Sequence, residues 1–222
     1  VPHTEPAADP SRRTLLVGGT GIVLGSVIPL ITQALFLVQL PGTSWLYVFE
    51  DTPLPGTLSA VILIAALVVL AVGIGGEPGI AGPSVAGRAA LIVFGVASIA
   101  TSGYSTMAAM TPEAGPVLAM LVAVVNLSLT ALWVASLIVA AVFVARAGVV
   151  HGVARWGLLV LAAMTVLDLL ASRIPSDVAI GVWIWGFVAL RAVQLLIGVL
   201  YVVQALTAAP AREAPVATGY AR

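Results

Sequence analysis

The chain has no cysteine, no lysine and only two histidines among 222 residues. Missing cysteine excludes disulfides, thiolate nucleophiles, Cys-ligated zinc and iron–sulfur clusters. Missing lysine, since all nine basic residues are arginine, excludes a retinal or pyridoxal Schiff base and the lysine of a P-loop. His3 lies in a polar tail and His151 in a predicted loop, so neither can ligate a haem or serve as a base inside an apolar span. No cofactor or metal is expected. Charge is scarce as well. At 8% charged residues the chain falls far below the ~25% of soluble domains, and nine acidic residues balance the nine arginines, leaving no basic surface for nucleic acid.

What is abundant is apolar surface, 61% of residues, with a mean hydropathy of +1.16. The solvent for most of this chain is therefore lipid. Six apolar segments, at about 14–40, 57–75, 89–110, 117–145, 156–172 and 178–206, each approach or exceed the ~17 to 25 residues of a spanning helix. Breakers separate them: Pro41 and Gly42, Pro53 to Gly56, Gly76 to Pro83, Pro112 to Pro116, Gly148 to Gly152, and Pro175. The expected fold is all-α, a polytopic integral membrane bundle of six transmembrane helices over 14–206. Polar, proline-broken tails flank it at 1–13 and 207–222. The fifth segment is short and contains Asp168, so five spans is the alternative.

Threading follows from the arginines. Counting alternate sides puts Arg12, Arg13, Arg88, Arg146, Arg155, Arg212 and Arg222 together, whereas the other side has only Arg173 beside Glu50, Asp51, Glu113 and Asp177. The positive-inside rule then predicts both termini in the cytoplasm, which an even number of spans requires. Trp45, Tyr47, Phe49, Trp183 and Trp185 stand where an outer aromatic belt is expected. Ser11, Arg12 and Arg13 before Thr14, Leu15 and Leu16 superficially match a twin-arginine export signal. No A-x-A-like site follows the apolar run, so the pair reads better as a cytoplasmic anchor. The arginine-rich, lysine-free composition suggests a bacterial cytoplasmic membrane.

Polar residues inside the segments are the candidates for function. Gly18, Gly21, Gly25, Pro29 and Thr32 share one face of the first segment, and Gly95, Ser98, Ser102, Ser105 and Ala109 one face of the third. Small residues at this spacing let helices approach closely, and we read Gly18, Gly21 and Gly25 as a packing seam in preference to a Pro29 hinge lining a pathway. Asn126, Thr130 and Trp133 align on the fourth segment, Thr165, Asp168 and Ser172 on the fifth, and Phe187, Arg191, Gln194, Gly198 and Tyr201 on the sixth. Asp168 and Arg191 are the only charges within apolar runs. The expectation is a buried ion pair at matched depth, with Gln33, Ser102, Ser105, Asn126, Thr130 and Gln194 as further ligand candidates around one outward-facing polar pocket.

Enzyme constellations fail. Gly103-Tyr104-Ser105-Thr106 is similar to the serine turn of intramembrane proteases, yet no histidine base falls within a span. There is no H-E-x-x-H, and one buried aspartate makes no dyad. An inverted repeat of the transporter kind finds no support in residues 14–110 against 117–206. The reading is a non-enzymatic accessory or structural membrane subunit, with a small permease using Asp168 and Arg191 as the alternative. Its expected partners are lipid and either another membrane protein or a second copy of the chain.

Overall fold

The computed structural model describes the backbone of residues 12–38, 54–76, 78–109, 115–171 and 176–207, and side chains over 12–32, 56–76, 78–101, 117–171 and 185–207. Six α-helices form among the described residues: α1 (Arg12–Val38), α2 (Leu54–Val72), α3 (Val85–Ala109), α4 (Pro116–Ala147), α5 (Gly157–Ala171) and α6 (Ser176–Thr207). Among those residues there is no strand, as expected of a chain whose backbone must satisfy its own hydrogen bonds in hydrocarbon. A 3₁₀ turn at Gly152–Trp156 leads into α5. Four helical stretches are long and apolar enough to cross a membrane: α1, α4, α6, and α5 together with its 3₁₀ turn. The described parts of α2 and α3 are apolar over shorter runs, Gly56–Val72 and Val85–Thr101.

Local sequence explains the ends. Pro116 occupies the first turn of α4, where its missing N–H is no loss, and Gly148 ends that helix at φ 67°, a left-handed position that a side chain would strain. Ser84 precedes α3 and its Oγ accepts the Gly87 N–H at 3.1 Å.

Each helix packs on the next in sequence, and α6 closes on α1, so the six make a ring. Pairing order shows that neighbours run antiparallel. Gly18, Gly21 and Gly25 of α1 meet Leu70, Ala66 and Leu63 of α2 in reverse order. A Cβ on Gly21 would lie 2.6 Å from the Ala66 Cβ, closer than two carbons can sit. The other flank of α1 uses Gly19, 2.9 Å in the same sense from the Gly198 carbonyl, with Tyr201 and Val202 beside it. Along α5 and α6, Gly157 opposes Ile197 and Asp168 opposes Gly186. Between α3 and α4, Gly87 opposes Phe143, and Phe94 stacks on Trp133 with centroids 6.3 Å apart.

Pro29 leaves a specific gap within α1. It has no N–H to give the Gly25 carbonyl one turn back. Ser59 of α2 donates its Oγ hydrogen to that carbonyl, so the gap in one helix is closed by its neighbour.

The core lies toward the end of the ring that carries Arg12, Arg13, Arg88, Arg146 and Arg155, called here the arginine end. Leu15, Leu70, Leu91, Leu137, Val144 and Tyr201 are wholly enclosed there. Both described connections at that end dock inward. In the α2–α3 connection the Ile80 N–H bonds the Leu70 carbonyl at 2.8 Å, Gly79 rests on the Leu70 and Ala71 carbonyls, and Ile80 and Ala81 are buried. Thr14 Oγ1 accepts the Ile74 N–H at 3.0 Å, tying the start of α1 to the same connection. Val150 and Ala154, in the α4–α5 connection, are buried. Arg88 donates from Nε to the Gly82 carbonyl, and Arg155 from Nε to the Ala145 carbonyl while lying over Trp156. Both described connections at the arginine end thus pack onto the helices they join.

Candidate functional site

Above this apolar plug the helices present polar side chains at a shared depth. Pairing across the ring puts Trp133, Ile22 and Gly198 roughly level. From there, at about 1.5 Å per residue, Ser26, Thr130 and Gln194 stand about 4 to 6 Å toward the opposite end, and Asn126 and Arg191 about 10 Å. Asn126 falls within about 20° of both Trp133 and Leu137 around the α4 axis, so it shares the stripe whose Trp133 meets Phe94 of α3. Leu137 is buried and Asn126 is exposed. Packing therefore thins from the arginine end outward along this face of α4.

Most hydroxyls are satisfied by backbone. Ser98 donates to the Phe94 carbonyl, Thr101 to that of Ala97, Ser128 to that of Val124, Ser136 to that of Trp133 and Thr165 to that of Leu161. Thr32 bonds the carbonyls of Ile28 and Pro29. Four buried polar atoms have no hydrogen-bond partner among the described residues: Ser26 Oγ, Trp133 Nε1, Tyr201 OH and Gln204 Oε1. Ser26, Ser59 and Gln204 are not among the residues expected from sequence. Ser59 was detectable in principle, because a mid-helix proline always frees a carbonyl that some donor must find.

Arg191 lies on the α6 stripe that faces α1. Its Nη1 donates to Gln194 Oε1 at 3.0 Å, and its guanidinium sits 5.0 Å from the Phe187 ring centroid. Asp168, partly buried, faces Gly186 on the other stripe of α6. Between Gly186 and Arg191 the helix turns about 140° and descends about 7.5 Å. The expectation of an Asp168–Arg191 ion pair at matched depth is therefore corrected: no ion pair joins them among the described residues. Depth counted from flanking residues leaves out the register set where Gly157 meets Ile197 and Gly186 meets Asp168. Asp168→Asn and Arg191→Gln should each change stability independently, so a double-mutant cycle in detergent is expected to be additive within about 0.5 kcal/mol. Coupling well above that would return the pair to contact.

The remaining candidates fall into two groups. Asn126 is exposed and Thr130 half-buried on α4. Gln33, Ser102 and Ser105 are on helices, but their side chains lie outside the described residues, as does that of Trp183; Trp45, Tyr47, Phe49 and Ser172 are also outside. Trp185 is exposed. Among the described residues no group of His, Asp or Glu could hold a metal ion. No protein-family model, curated protein or solved structure matches the chain.

Proposed function

We propose that this chain is a non-enzymatic, six-span accessory or structural subunit of the bacterial cytoplasmic membrane, threaded with both termini on the cytoplasmic, arginine-bearing side. The observation that carries this reading is the docked arginine end, where the α2–α3 and α4–α5 connections fold onto a core of Leu15, Leu70, Leu91, Leu137 and Val144. The hydroxyls of Ser59, Ser98, Thr101, Ser136 and Thr165 support it too, since they bond carbonyls of their own or a neighbouring helix and act as packing devices. A surface of exposed apolar side chains along α4, Val117, Met120, Leu121 and Leu127 among them, offers the contact area a membrane partner or lipid would cover.

Purification from native membrane should bring down a second membrane protein in fixed stoichiometry. A protein that purifies alone and moves a solute in proteoliposomes would overturn the accessory reading in favour of a small permease, which the exposed Asn126 amide favours. Threading is checked separately, on a background free of cysteine. Single cysteines at Ser44 and Pro112 are expected to label with an impermeant thiol reagent from outside, and ones at Ser84, Gly148 and Thr218 are not. External labelling at position 218 would leave five spans.

A further inference from the structure

We propose that the α1–α6 seam at Arg191 binds an anionic oxygen group, a phosphate or a carboxylate, reached from the end of the bundle opposite the arginines. The proposal is independent of whether the chain is an accessory subunit. A guanidinium in mid-helix is costly in hydrocarbon, about 2.5 to 3.5 kcal/mol even on the mild insertion scale, and normally has a counter-charge. Arg191 has none among the described residues. Its Nη1 is held by Gln194 Oε1 at 3.0 Å and its guanidinium carbon lies over the Phe187 ring, 5.0 Å from the centroid. Those two contacts fix the group and leave the Nε and Nη2 edge without a hydrogen bond among the described residues. The two parallel N–H donors of that edge match a two-oxygen anion.

A second feature points the same way. Ser26 is wholly buried, and its hydroxyl has no partner among the described residues. It lies on the stripe of α1 that faces α6, because Gly19 and Val23 on that side meet Gly198, and the same register sets Ser26 against Gln194. Gln194, itself only 8% exposed, keeps an amide N–H₂ beside the guanidinium. The seam therefore concentrates donors: guanidinium, amide and hydroxyl. The nearest described carboxylate, Asp168, points to the other flank of α6. A site rich in donors and, among the described residues, without a carboxylate selects anions over cations. The same chemistry could come from a phospholipid headgroup or from a soluble anion, and the test separates these sources.

The full chain is reconstituted in phosphatidylcholine nanodiscs at low ionic strength, and its thermal midpoint is followed in two arms. One arm titrates inorganic phosphate and acetate against chloride at matched ionic strength. The other replaces part of the phosphatidylcholine with phosphatidylglycerol. The wild type should gain roughly 4 °C in at least one arm over its control. Response to phosphatidylglycerol alone identifies a lipid headgroup, and response to phosphate or acetate alone a soluble ligand. Arg191→Gln should abolish the gain and Arg146→Gln, at the arginine end, should retain it. Should Arg191→Gln fail to fold, Arg191→Lys keeps the charge but loses the fork, and Gln194→Ala releases the guanidinium; both should cut the response at least several-fold. A wild type that responds to neither arm, or variants that respond as the wild type does, would overturn the site.

Discussion

Gly21→Leu should cost about 3 kcal/mol and lower the melting midpoint in detergent by roughly 6 to 12 °C. Even a Cβ at this position would stand 2.6 Å from the Ala66 Cβ, and leucine adds three further carbons in the same direction. Neither helix can yield locally. On its far side α1 is held by Gly19, which packs at backbone distance on Gly198 of α6, so moving α1 away from α2 drives it into α6. Gly25→Leu should be similar but milder, its nearest neighbour being the Leu63 Cβ at 3.2 Å. Melting points unchanged in both variants would mean that α1 and α2 do not meet through this face.

The second large effect concerns Pro29 and Ser59, and its sign depends on the background. In the wild type, Ser59→Ala strands the Gly25 carbonyl in a dry seam, an expected loss of about 1 to 3 kcal/mol. In a Pro29→Ala background the backbone N–H restored at position 29 bonds that carbonyl along the helix, so Ser59→Ala should be nearly neutral. The coupling in a thermal or denaturant double-mutant cycle should therefore exceed about 1 kcal/mol. Equal losses in the two backgrounds would show that Ser59 stabilises the seam by something other than completing the broken ladder.

The helices themselves were legible because apolar length and Gly/Pro breakers are written locally. Segments expected at 57–75 and 117–145 become α2 at 54–72 and α4 at 116–147, displaced only as far as fraying and capping allow. The glycine face of α1 was legible for the same reason, since three- and four-residue spacing is a property of one helix. What meets that face was not. A stripe of Gly18, Gly21 and Gly25 fits any smooth neighbour, and only the assembled ring assigns it to α2 while giving Gly19 to α6. The ion pair failed on this same point: depth can be counted along one helix, but rotation about two axes is set by contacts elsewhere. Gly186 reads in sequence as one more small residue. In the fold it decides which way Asp168 faces.

The docked connection between α2 and α3 has an electrical consequence. A membrane voltage falls mainly across whatever is driest, and at the arginine end the connections themselves bury apolar side chains, Ile80, Ala81 and Val150. A full unit charge crossing the whole membrane exchanges about 2.3 kcal/mol per 100 mV. An anion arriving at Arg191 from the opposite end stops short of the plug and so traverses little of that drop. Its occupancy should depend on concentration far more than on membrane potential.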